Sequence, residues 1–160
     1  TNPNWIISEK HGFMNDNSLR HSKFFLKNSI EKAERTIRRK GGAISSGKVI
    51  SEQSFGFWTS LFETHHYRLI GGVIIQCFPN KPNSVNRSII SQKLNRIREF
   101  RNRVYHNEPI CFKGSNVDFG EAQDIRDEIF EILTWIDSDL SIYTEYFNGI
   151  NAKIDQVNNI

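Results

Sequence analysis

The apolar residues of this 160-residue chain recur at spacings of three and four, and no stretch alternates at two for long enough to build a paired strand. An α-helix turns by roughly 100° per residue, so this spacing stacks apolar side chains on one face, whereas a half-buried strand needs period two. Residues 18–40 carry Leu26, Ile30, Ala33 and Ile37 at intervals of four, three and four, and Gly41-Gly42 follows as a helix stop. A second segment starts near Ser51 and sets Phe55, Trp58, Leu61 and Phe62 on one face; a shorter apolar stretch, 69–78, stops at Pro79. The third strong helix is predicted over 84–106, with Ile90, Leu94, Ile97 and Val104 as its apolar line and Pro109 ending it. Asp118 and Glu121 then have the spacing of a capping box, with Asp in place of Ser or Thr. They open a helix bearing Ile125, Ile129, Ile132 and Ile136, and a last helix carries Leu140, Tyr143, Phe147 and Ile150. Between 111 and 117 lies a Lys-Gly-Ser turn signal, and 42–50 has at most a weak tendency to pair. The expected architecture is all-α, a helical bundle of about five helices in one domain over 1–160.

Composition agrees with a packed chain. Twelve Phe, three Trp and four Tyr supply large rings that bury much area each, which argues against disorder. Trp5, Trp58 and Trp135 are therefore read as core or interface anchors. A net charge of +3 permits a nucleic-acid partner without arguing for one, so the distribution of charge matters more than its sum. Cys77 and Cys111 match no metal-ligand spacing and no disulfide framework, and as two reduced thiols they suit a cytoplasmic protein. No signal peptide is visible, and no apolar run approaches the roughly 18 residues that span a bilayer, so no membrane partner is expected. The chain opens on Thr1 rather than Met, which leaves room for an upstream helix.

Two motifs point to chemistry and are better explained otherwise. Gly42-Ala-Ile-Ser-Ser-Gly47-Lys48 spells the start of a phosphate-binding loop, but Val49 stands where a magnesium-binding hydroxyl belongs, and a basic helix precedes it instead of a buried strand. His65 and His66 are adjacent, whereas two metal ligands on one helix face need a spacing of three or four, so they read as surface or helix-end histidines.

The segment 96–108, Arg-Ile-Arg-Glu-Phe-Arg-Asn-Arg-Val-Tyr-His-Asn-Glu, is different. A charge run alone is a solvated helix face. Here, however, Asn95, Glu99, Asn102 and His106 fall in one polar line, nearly opposite Ile90, Ile97 and Val104, while Arg101 falls beside the apolar stripe with its stem expected to pack there. An arginine, an amide and a histidine at the end of one helix can cleave a phosphodiester through the substrate's own 2′-hydroxyl. The imidazole of His106 moves protons near neutral pH. Arg101 grips the scissile phosphate and stabilises its transition-state charge. Asn102, one turn from His106, orients the imidazole or donates to a phosphate oxygen. The scheme needs no metal or other cofactor, and it selects RNA because DNA lacks the 2′-hydroxyl. Arg98 and Arg103 are further candidates for RNA contact.

Arg101-Asn102-Arg103-Val104-Tyr105-His106 resembles the Arg-polar-x-x-x-His signature of HEPN domains. Phe55-Gly56-Phe57-Trp58-Thr59-Ser60-Leu61-Phe62 resembles the Phe-Gly-Phe-Trp block of bacterial Abi-like abortive-infection proteins, Phe78-Pro79 follows at the spacing of that family, and 97–110 is similar to its Arg-Asn-Arg-x-x-His-x-Glu-Pro-Ile block. The three matches occur in order and cover roughly residues 25–140. The resemblance implies a HEPN-like bundle and a homodimer that brings two motifs into a shared cleft. It also implies metal-independent endoribonuclease activity in phage defence, with a toxin-like chain restrained by an antitoxin or other inhibitory partner. Carried over by position, the catalytic residues are Arg101, Asn102 and His106, with Tyr105 and Glu108 in support. Where many members have a second His, this chain has Asn107. Some members of the family bind RNA or nucleotides without cleaving, so a non-catalytic binding module is the alternative, and a domain whose basic helix docks an acidic partner is a third reading.

Overall fold

The computed structural model of the chain describes residues 2–146 and 148–158. They fall into two compact units, Thr1–Ile74 and Ile75–Ile160. Apart from one short hairpin, the regular structure of the described residues is helical, so the fold class is all-α.

In the N-terminal unit, α1 (Trp5–Ser8) and two 3₁₀ turns (Phe13–Asn15 and Asn17–Ser22) precede α2 (Phe25–Arg39), α3 (Ser46–Ser51), α4 (Phe55–Ser60) and α5 (Thr64–Leu69). The spacing in α2 does what periodicity requires: Leu26, Ile30, Ala33 and Ile37 are all buried. Glu34 is buried beside that stripe and is held there by Lys10, whose Nζ donates to both carboxylate oxygens at 2.8 Å. The helix begins later than the apolar pattern suggests. Lys23 and Phe24 both adopt left-handed backbone, with φ of 50° and 52°, and their N–H groups close the preceding turn onto Arg20 and Leu19 carbonyls. Packed around α2 are Ile6, Met14, Val49, Phe57 and Leu61, with Trp5 and Trp58 half-buried against them. Phe57, expected off the apolar face, is fully buried, while Phe55 is only half-buried. The helix ends at Ser60, so Leu61 and Phe62 are buried in the turn beyond it, where helical angles no longer apply.

Two helices of this unit stop in the same way. After α2 the N–H of Gly42 bonds the Ile37 carbonyl and that of Gly41 bonds Arg38; after α5 Gly72 bonds Tyr67 and Gly71 bonds Arg68. Each is the paired closure that a left-handed residue just past a helix allows. The stretch 42–50 does not pair as a strand: Ser45 caps α3 by accepting from the Lys48 N–H at 3.4 Å, and Lys48 Nζ turns back onto the Ala43 carbonyl at 3.1 Å. The phosphate-loop lookalike is thus a helix stop followed by a helix start.

In the C-terminal unit, α6 (Arg87–Tyr105) starts where Asn86 Oδ1 accepts from the N–H groups of Ser88 and Ile89. Next come β1 (Phe112–Lys113), β2 (Asn116–Val117), α7 (Gly120–Ile136), α8 (Ser138–Tyr146) and α9 (Ile150–Asn158). The Lys-Gly-Ser signal is a real turn, tighter than a plain loop: β1 and β2 pair antiparallel across Gly114 and Ser115, with Gly114 at φ 63°. Positive φ at the first central residue alone is what a type II′ hairpin turn requires.

Three sequence expectations fail at α7 and beyond. The capping box does not form, because Asp118 Oδ1 accepts from Gly120 N–H at 2.7 Å, one position too early, and Glu121 is drawn away to Arg103. Ile125 and Ile132 are buried as the spacing demands, but Ile129 and Ile136 are exposed. The expected last helix is two helices: Leu140 is half-buried and Tyr143 exposed in α8, Ile150 is exposed at the start of α9, and Phe147 lies outside the described residues. Trp135 is buried, edge-on to Phe78 at 6.4 Å, and its carbonyl accepts from Asn80 N–H at 3.0 Å. No helix of the described residues is long and apolar enough to cross a membrane.

Candidate active site at the free end of α6

Helix α6 is packed at one end and bare at the other. Its buried residues, Ile90, Ser91 and Leu94, all lie in its first half. From Arg101 onward the helix is exposed except at Arg103. Val104, expected to face the core with Ile90 and Ile97, is 47% exposed, and Arg101, expected to pack its stem beside that stripe, is exposed too. The helical angle gives a direction only; in its last two turns α6 outruns the apolar partners that would cover that direction.

The geometry at this end is fixed by backbone. His106 is the residue that closes α6, and its N–H donates to the Asn102 carbonyl at 2.9 Å, which places the two side chains one turn apart on one face. Asn107 then takes φ 55°; its N–H bonds the Val104 carbonyl at 3.1 Å and the Glu108 N–H bonds the Arg103 carbonyl at 3.0 Å. This is the same closure that Gly41 and Gly71 give α2 and α5. Asparagine is the residue after glycine that best tolerates left-handed backbone. Sequence reasoning missed this role for Asn107, although an Asn two residues before Pro109 at a helix end was the available signal. The ring of Tyr105, 75% exposed, meets the His106 ring edge-on with centroids 5.6 Å apart.

The basic run divides into engaged and free groups. Arg103 NH1 reaches both Glu121 oxygens at 2.7 Å, its Nε lies 3.6 Å from Glu108, and NH2 donates to the Pro109 carbonyl at 3.4 Å. It thereby ties the end of α6 to the chain that follows and to the first turn of α7. Glu108 is held in the same cluster. Arg96 pairs with Glu128, and Lys93 pairs with Glu131 at 2.7 Å. Arg98 is half-buried and engaged. Among the described residues no hydrogen bond or ion pair ties down the guanidinium of Arg101, the amide of Asn102 or the imidazole of His106. The three groups singled out by spacing are therefore uncommitted, while Arg96, Arg98 and Arg103 are engaged. Asn95, first in the same polar line, is half-buried with its Oδ1 enclosed and unpartnered, and Glu99 is exposed.

Of the adjacent histidines at the start of α5, His65 is at the surface as expected and His66 is enclosed. His66 is not at the surface: it is 1% exposed, with Nδ1 2.8 Å from the Ser60 carbonyl and Glu63 at 3.8 Å. His65 is exposed and its ring lies 4.3 Å from that of His21. Among the described residues no three His, Cys, Asp or Glu side chains are grouped to hold a metal ion, and Cys77 and Cys111 are free thiols. No family model, curated protein or solved structure matches the chain.

Proposed function

We propose that this chain is a metal-independent endoribonuclease of the HEPN type, an all-α protein built around about five principal helices and acting as an abortive-infection toxin in phage defence. The observation that carries the reading is the set Arg101, Asn102 and His106, exposed and uncommitted at the end of α6 while neighbouring cations are paired. A site this open on one chain is completed by a second copy in a two-fold dimer, which faces the two α6 ends across one cleft. There His106 of one copy takes the 2′-hydroxyl proton as the 2′-oxygen attacks phosphorus. The bond from phosphorus to the 5′-oxygen breaks, and His106 of the other copy returns a proton to that oxygen, leaving a 2′,3′-cyclic phosphate. Arg101 binds the non-bridging oxygens through the transition state, and Asn102 orients the imidazole. Tyr105 and Glu108 support the group, and an antitoxin would act by covering it.

The openness of the group also favours a second reading, a module that binds RNA without cleaving it. One experiment separates them: a mixed RNA pool in EDTA, treated with wild type and with His106→Ala of matching fold and oligomeric state. The nuclease reading expects cleavage with cyclic phosphate ends, falling by about a hundredfold or more in the variant, the usual size of a general acid–base contribution. Equal cleavage by both proteins removes His106 from the chemistry, and binding without cleavage leaves the second reading.

A further inference from the structure

The two units carry charge unequally. Residues 1–74 hold 11 of the 21 Lys and Arg but 6 of the 18 Asp and Glu, whereas residues 75–160 hold 10 and 12. The mild basicity of the whole chain therefore belongs to the N-terminal unit. Within it, Lys10 is taken by Glu34, Lys40 by Glu52 at 2.8 Å and Lys48 by a carbonyl. Lys23 and Lys32 are exposed, and among the described residues neither ammonium has a hydrogen bond or ion pair.

Both lysines line a groove of about 500 Å³ along α2, together with Phe25, Asn28 and Ser54. Its one carboxylate, Glu52, is already neutralised by Lys40. Phe25 is 40% exposed at the mouth of the helix, and Arg39, seven residues beyond Lys32, continues the same helical face without a partner among the described residues. Free cations and an exposed ring in one open groove, with the Asn28 amide tied to the Lys23 carbonyl at 2.7 Å, match the recognition of a single-stranded polyanion, in which ammonium groups meet phosphates and a ring stacks on a base.

We propose that this α2 groove is a second RNA-binding surface, which holds the phosphodiester backbone through Lys23 and Lys32 and stacks a base on Phe25. It rests on the nuclease reading only for the identity of the polyanion. It also supplies phosphate contacts that the engaged Arg98 and Arg103 do not offer.

The test is fluorescence anisotropy with a short labelled single-stranded RNA, in a His106→Ala background so that cleavage does not consume the probe. In that background, Lys23→Asn with Lys32→Gln is expected to weaken binding about tenfold at low salt and to flatten the slope of log K against log[salt] by about 1.4, near 0.7 per lost phosphate contact. Asparagine suits the left-handed backbone at Lys23, and Lys32→Gln alone, on an exposed helix position, should give about half the change in slope. Phe25→Ala should weaken binding severalfold with no change in slope. Unchanged affinity and slope in the lysine variants overturn the proposal, as does a lysine dependence seen with anionic lipid vesicles but not with RNA. Wild type that fails to cleave RNA while keeping lysine-dependent binding defeats the nuclease reading and leaves this groove standing.

Discussion

The two units of the chain enclose their apolar residues to different degrees. In Thr1–Ile74 the aromatic and aliphatic side chains converge: Ile6, Met14, Leu26, Ile30, Val49 and Phe57 are fully buried around one helix. In Ile75–Ile160 many point outward, with Val104, Tyr105, Ile142, Tyr143 and Tyr146 between 47% and 87% exposed. Polar groups differ as well. The N-terminal unit encloses Glu34 with its lysine and His66 against a carbonyl, whereas in the C-terminal unit Glu128 is largely enclosed but the carboxylates of the Lys93–Glu131 and Arg103–Glu121 pairs are about half exposed. The first unit leaves few apolar groups outside its core, whereas the second, beside its buried Ile90, Leu94, Ile125, Ile132 and Trp135, leaves more of them where something else can meet them.

The strongest way to break this contrast is core truncation. Phe57→Ala should lower stability by about 3–5 kcal/mol, the usual loss for an enclosed ring. Tyr146→Ala, at a residue 87% exposed, should stay within about 0.5 kcal/mol. Urea unfolding of both variants decides it, and similar losses would mean that the outward face is not free.

The ion pairs give the next largest difference. Lys10→Ala leaves the Glu34 carboxylate enclosed without its partner and should cost about 3 kcal/mol, as breaking a buried pair does. Arg103→Ala removes contacts whose carboxylates are about half exposed, 49% for Glu121 and 52% for Glu108, and should cost under about 1 kcal/mol. Thermal melts at low and high salt sharpen the point, since salt should reduce only the second loss.

The smallest effect is acidic and confined to the N-terminal unit. Hydrogen bonds from the Ser18 hydroxyl and backbone N–H hold the Asp16 carboxyl below its ordinary pKa of 3.8. A depressed carboxyl pKa stabilises the fold above the unfolded value, and that contribution disappears as pH falls through the lower folded value. Asp16→Ala should therefore melt slightly below wild type at neutral pH, with the two melting temperatures converging once pH falls well under 3.8. A gap that persists in acid would assign the difference to something other than this charge.

Much of the fold was legible because it depends on local spacing. The buried line Leu26, Ile30, Ala33 and Ile37, the stop at Gly41, the long helix ending before Pro109 and the turn at Gly114 all follow from rules that span four or five residues. The grouping of Asn102 with His106 is of the same kind, since a helix alone sets them one turn apart. Tertiary structure decided whatever required knowing what lies opposite a side chain. Val104 and Leu94 look alike in sequence, yet only Leu94 is buried; His65 and His66 are adjacent, yet only His66 is enclosed. Glu121 had the spacing of a capping residue and went instead to Arg103, a partner 18 positions away. Partners of this distant kind engage Arg96 and Arg103, while among the described residues none engages Arg101, Lys23 or Lys32. Sequence determined where the longest helices run and which groups share a face within them, because those are properties of a single segment, although it missed the late start of α2 and the break between α8 and α9. Exposure and partnership depend on distant segments, so only the folded chain could assign them.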